Sequence, residues 1–118
     1  MLHNSFFAIL KQETTPGSIK AMLSINKTHD ILKGHFPGQP VVPGVCMMQM
    51  IKELLEQQLG KKLILRTTGQ VKFLRLITPD IAPLVNISWK ESENGQVVTA
   101  LLKDETDLFK LSGTYNII

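Results

Sequence analysis

His35 stands in a loop of prolines and glycines, Gly34-His35-Phe36-Pro37-Gly38-Gln39-Pro40, and is the residue whose type and surroundings point most directly to chemistry. Imidazole takes up and releases a proton near neutral pH. Proline fixes φ and removes an N–H, and glycine admits turns that other residues resist, so Phe36 to Pro40 form a rigid, non-repetitive segment that holds His35 in place. Pro43 suits the first turn of a helix, and the N–H groups of Gly44 and Val45 after it lack intrahelical partners and are free to point at an electronegative group. A fixed base beside free helix-start donors is a setting for carbonyl chemistry.

The other reactive side chains have plainer readings. His3 and His29 belong to no partner pattern and read as surface residues. With one cysteine and three scattered histidines there is no metal-ligand spacing, and no metal or other cofactor is expected. Cys46 falls on an apolar helical turn, where a thiol behaves as a small core residue and its pKa rises. Met47, Met48 and Met50 read as core filler that also suits a tunnel for a flexible acyl chain.

The elements that must position His35 follow from the pattern of the chain. Ser5–Gln12 and Gly17–Asn26 read as strands, with Lys27–Asp30 as a turn. Pro43–Leu59 reads as one helix closed by Gly60. Four more strands are expected at Leu63–Leu76, Ala82–Glu91, Gln96–Lys103 and Asp107–Asn116. Two strands, one helix and a run of strands argue for an antiparallel sheet with a single helix on one face, an α+β architecture. Val45 to Met48 leave the first helical turn apolar on all sides, whereas Lys52, Glu53, Glu56 and Gln57 define a polar arc. The helix should therefore start deep, wrapped by sheet or by another subunit, and end wet.

Composition sets outer bounds. At 118 residues, 43% hydrophobic and 19% charged, the chain suits one ordered domain spanning residues 1–118. One cysteine fits a reducing cytoplasm, and the apolar run Phe6–Leu10 is too short for a signal core or a membrane span. The formal charge of +3 is dispersed, and the seven aromatics do not interleave with the basic residues, so nucleic acid is not an expected partner.

The string His35-Phe36-Pro37-Gly38-x-Pro40-x-x-Pro43-Gly44-Val45 resembles the signature of the 3-hydroxyacyl-acyl-carrier-protein dehydratases, hotdog-fold enzymes of fatty acid synthesis. Val71-Lys72-Phe73-Leu74-Arg75 is similar to the strand after the central helix in that family. The resemblance covers the middle of the chain, while both ends match in strand pattern only. It implies a hotdog fold, an antiparallel sheet wrapped around one central helix, in a homodimer that also builds hexamers. It implies a substrate carried as a thioester of acyl carrier protein or coenzyme A. His35 would remove the C2 proton, the Gly44 and Val45 amides would polarise the thioester carbonyl, and Phe36 and Phe73 would contact the acyl group. Lys33, Lys72 and Arg75 would steer an acidic carrier protein if they ring the mouth of the site.

The family's helix also carries a carboxylate fourteen residues after the histidine, supplied across the dimer interface to protonate the departing C3 hydroxyl. Here that position is Gln49. An amide orients a hydroxyl or a water but has no proton to exchange near neutral pH. Losing a positioned general acid costs roughly 10²–10⁴-fold in rate. Glu53 lies one turn further on, roughly 6 Å along the axis, and Asp80 sits in a later loop, but neither is expected to substitute. Three functions stay open: a dehydratase-like hydro-lyase using His35 and Gln49, a hotdog thioesterase, and a catalytically weak acyl-binding or partner subunit.

Overall fold

The computed structural model describes residues 2–32 and 40–118. Six strands, β1 (Phe7–Thr15), β2 (Ser18–Ile25), β3 (Leu63–Phe73), β4 (Leu84–Ser92), β5 (Gly95–Lys103) and β6 (Asp107–Ile117), and one helix, α1 (Gly44–Leu59), make up the regular structure. All strand pairs are antiparallel, and the order across the sheet is β1-β2-β4-β5-β6-β3. β3 follows the helix in sequence yet lies at the far border, beside β6. This is the expected hotdog arrangement of a sheet around a single helix.

Alternation explains which face the sheet buries. Ile19, Ala21, Leu23 and Ile25 of β2, Val85 and Ile87 of β4, Val98, Ala100 and Leu102 of β5, and Phe109, Leu111 and Tyr115 of β6 point to one side, at the period of two that a pleated strand imposes. Met47, Met50, Ile51, Leu54 and Leu55 recur every three or four residues and give α1 the apolar stripe that shares their core. Each such side chain contributes roughly 1.5–3 kcal/mol on burial.

The helix ends are chemically distinct. Pro43, extended at φ −63° and ψ 145°, is the N-cap, and the first turn closes with the Cys46 and Met47 amides donating to its carbonyl. The Gly44 and Val45 amides stand ahead of these bonds, as expected. Gly60 takes the left-handed conformation at φ 65° and donates to the Glu56 carbonyl, 2.8 Å away. The Glu56 side chain then accepts the Leu63 amide at 2.8 Å, which ties the helix exit to the first residue of β3.

Several expected boundaries move. β1 begins at Phe7, because Ser5 and Phe6 turn back to donate to the Leu2 carbonyl, and it continues to Thr15 before the Pro16-Gly17 turn. β3 stops at Phe73, three residues before the expected end, where the Leu74 and Arg75 amides both turn to the Leu108 carbonyl. The helix does not run from deep to wet as expected: Val45 on its apolar first turn is 73% exposed, whereas Glu53 on its polar arc is fully buried. His3 and His29 are half-buried, each against a phenylalanine ring. Among the described residues no helix is long and apolar enough to cross a membrane.

Candidate functional site

The start of α1 opens into a cavity of about 400 Å³ lined by Val41 to Gly44, Met47 and the segment Phe73 to Ile77. Its walls are fixed by backbone: the Val42 amide donates to Ile77 at 2.7 Å, and the Leu74 amide to Leu108 at 2.9 Å. The Phe73 ring lies over the first helical residue and also meets Phe109, with centroids 5.0 Å apart. The cavity is mostly apolar, with the backbone of the first helical residue at one end.

Gln49 occupies a different cavity. About 250 Å³ in volume, it is lined by Val45, Met48, Gln49, Lys52, Leu65 and Tyr115. Residues 45, 48, 49 and 52 share one helical face, turned toward β3 and β6. Within one chain, therefore, Gly44 and Phe73 border one cavity and Val45 and Gln49 border the other. A site that uses all four would draw on both cavities.

The Gln49 side chain in this second cavity is tied to a buried carboxylate that lies outside its lining. Gln49 donates through Nε2 to Oε2 of Glu53 at 2.9 Å. Glu53 also accepts the Leu2 amide on both oxygens, at 3.0 and 2.8 Å, and the His3 amide on Oε1 at 2.9 Å. Burial works to raise the Glu53 carboxyl, but these hydrogen bonds outweigh it and hold the group below its ordinary value. Glu53 is thus an ionised anchor and is spoken for. Asp80 is exposed and accepts from the Thr78 hydroxyl in its own loop.

Tyr115 is the residue that sequence reasoning missed. It is the chain's one tyrosine, almost fully buried on β6, and burial pushes its hydroxyl up to about 12, so it stays protonated. Alternation along β6 is the available signal, since it sets Tyr115 on the buried face, but nothing in that pattern links Tyr115 to Gln49. Lys52, read only as part of a polar arc, lines the same cavity. Cys46 is buried and its thiol is raised by desolvation, as its apolar setting implied.

The remaining expected site residues divide. His35, Phe36 and Lys33 lie outside the described residues. Arg75 lines the first cavity. Lys72 is exposed on β3 and, by alternation, points to the opposite face from Phe73, across from Lys110.

Known proteins agree with this architecture. A family model described as ApeI-like, ApeI dehydratase, matches residues 11–112. The 3-hydroxyacyl-[acyl-carrier-protein] dehydratase FabZ of Clostridium acetobutylicum is 33% identical over 63 residues, covering 48% of this chain and 45% of the relative. FabZ of Wolbachia pipientis is 35% identical over 78 residues, 57% of this chain and 52% of the relative, so the chain spans about half the length of these relatives. Among solved structures, the dehydratase heterocomplex ApeI:P from Xenorhabdus doucetiae superposes with a TM-score of 0.82 at 21% identity, over 92% of this chain and 96% of that one. An uncharacterized protein from Erwinia carotovora subsp. atroseptica follows at 0.65 and 18%, over 94% and 92%. The fold is shared over nearly the whole chain and the family model spans most of it: this chain belongs to the ApeI-like dehydratase family.

Proposed function

We propose that this protein is a hydro-lyase that removes water from a 3-hydroxyacyl thioester, delivered by acyl carrier protein or coenzyme A, in fatty acid or related acyl-chain synthesis in the cytoplasm. The observation that carries this reading is the apolar cavity at the start of α1, bordered by Gly44, where the first helical amides precede the intrahelical hydrogen bonds, and following the His35 segment in sequence. His35 takes the C2 proton, and the resulting enolate oxygen is stabilised by the Gly44 and Val45 amides. The C2=C3 bond forms as the C3–O bond breaks. Gln49 orients the hydroxyl but has no proton to give, so the His35 imidazolium returns its proton to the departing oxygen and releases water. Phe36 and Phe73 border the acyl group, and Arg75, with Lys33, supplies positive charge for an acidic carrier, whereas Lys72 on the opposite face of β3 is left without that part.

The working unit in this reading is a homodimer formed along β3, from which a hexamer can be built. β3 is a border strand, and Val71, Phe73, Leu74 and Leu76 are exposed along it and just beyond, with Val45 on the adjacent helix. A run of exposed apolar side chains along a border strand whose outer edge has no neighbouring strand among the described residues is a surface suited to a partner. Joining two copies there would bring the Gln49 cavity of one toward the helix start of the other.

Gln49 also favours a second reading, in which the chain pairs with a homologous subunit that brings the missing carboxylate. The Xenorhabdus neighbour is itself a heterocomplex. One experiment separates these cases: incubate the purified protein with a short trans-2-enoyl thioester and follow enoyl absorbance and free thiol together. Loss of absorbance without thiol supports the hydro-lyase. Thiol release reassigns the protein as a thioesterase, and silence in both channels with carrier-protein and coenzyme A substrates leaves the partner-subunit reading.

A further inference from the structure

The Gln49 side chain has two faces of opposite hydrogen-bonding character, and the structure determines which one reaches the cavity. We infer that Glu53 is a positioning residue that holds the Gln49 amide nitrogen to itself, so that Gln49 turns its carbonyl oxygen to its cavity and grips a water or substrate hydroxyl as a hydrogen-bond acceptor. The inference rests on the proposed role of this cavity in handling that oxygen.

Three observations support it. A carboxylate accepts hydrogen bonds and donates none, so the group 2.9 Å from Glu53 Oε2 must be the Gln49 NH₂. Turning the amide over would set two oxygens against each other at that distance. The carboxylate cannot swing aside either: both of its oxygens accept from the Leu2 amide, Oε1 accepts His3 as well, and the side chain has no solvent exposure. Finally, Gln49 and Glu53 are four residues apart on one helix, so α1 itself sets their separation.

The chemical consequence is specific. A carbonyl oxygen in this place grips a hydroxyl by its hydrogen and leaves the lone pairs of the bound oxygen free. In hydration those lone pairs attack C3. In dehydration the same grip orients the C3 hydroxyl, and the proton that completes the leaving water comes from elsewhere in the site. Glu53 thereby fixes Gln49 as a holder of oxygen, and Leu2 and His3 become part of the support for the site.

The test is nuclear magnetic resonance of the ¹⁵N-labelled full chain, with the Gln49 side-chain amide assigned by its loss in Gln49→Leu. The expected result is one Nε2 proton shifted downfield and slow to exchange with water, moving in step with protonation of the Glu53 carboxyl in acid. An averaged, rapidly exchanging Gln49 amide that ignores that protonation overturns the proposal. In Glu53→Gln, whose carbonyl still accepts the backbone amides but imposes no sense on Gln49, the shifted resonance should disappear. The kcat for enoyl hydration should fall roughly tenfold with KM within twofold, and an unchanged kcat overturns the positioning role. The resonance decides the orientation whatever the turnover, so silence of the native protein toward enoyl thioesters counts against the hydro-lyase reading separately.

Discussion

Gly44 and Phe73 are in such close contact that a Cβ on Gly44 would fall 2.5 Å from the phenylalanine ring. Only glycine lets the aromatic ring cover the first turn of α1 while the amides remain open. Gly44→Ala must therefore displace the Phe73 ring, which is 56% exposed and free to move. Stability should change little, with Tm shifted by no more than about 5 °C, while the KM for acyl thioesters rises severalfold. A large loss of Tm with unchanged KM would show that the contact is structural only.

If His35 is the base, His35→Ala should abolish enoyl hydration, a loss of at least about 10²-fold, with an unaltered circular dichroism spectrum. Full activity in this variant would eliminate the mechanism.

Gln49→Glu should raise turnover, by roughly 10–10² if a general acid is restored. The new carboxyl would stand where Gln49 Nε2 now lies, 2.9 Å from Glu53. Two carboxylates at that distance share a proton, which raises one of them toward neutrality and suits it to donate. The pH–rate profile should acquire a descending limb on the alkaline side, and the limb should vanish in Gln49→Glu/Glu53→Gln.

Glu53 also governs stability in acid. Its folded-state pKa lies below the ordinary carboxyl value of 4.5, so the unfolded chain binds the proton more readily. The contribution of Glu53 is fully present above pH 4.5 and is lost as pH falls through the lower folded-state value. Native Tm should drop below pH 4.5 more steeply than that of Glu53→Gln, which lacks this group. Parallel curves for the two proteins would count against an ionised buried Glu53.

The exposed residues on and beyond β3 predict assembly. Val71→Lys with Leu76→Lys puts charge on that border at positions that are solvent-exposed in the single chain, so the fold should persist. Analytical ultracentrifugation should show the native protein as a dimer or a multiple of it, and the variant as a monomer with little activity. A native monomer with full turnover would sink the shared-site geometry.

The succession of six strands along the chain and the extent of α1 were readable from the sequence because each rests on local rules: alternation in β2, β4, β5 and β6, Pro43 before the helix and Gly60 after it; the place of β3 at the far border of the sheet was not. What escaped depends on residues far apart in the chain. Glu53 falls on a polar arc by periodicity, yet it is buried because the amides of Leu2 and His3, some fifty residues away, supply its partners. Tyr115 is a core residue by pattern, and its place beside Gln49 follows from the packing of β6 under the helix. The division between the Gly44 and Gln49 cavities is equally a matter of three dimensions, since residues 44 and 49 are barely more than one turn apart and open on different faces.

The two borders of the sheet are unlike, and this limits how large an assembly can become. The outer half of β1 offers Lys11, Gln12, Glu13, Thr14 and Thr15 to solvent, whereas β3 runs into Val71, Phe73, Leu74 and Leu76. Two copies that meet through β3 about a twofold axis turn their β1 borders outward, where Leu10 is the exposed apolar side chain beside the hydrophilic run. Further lateral addition meets a mostly polar rim, so the sheet itself ends after a single joining, and a hexamer of such pairs would have to form through other faces.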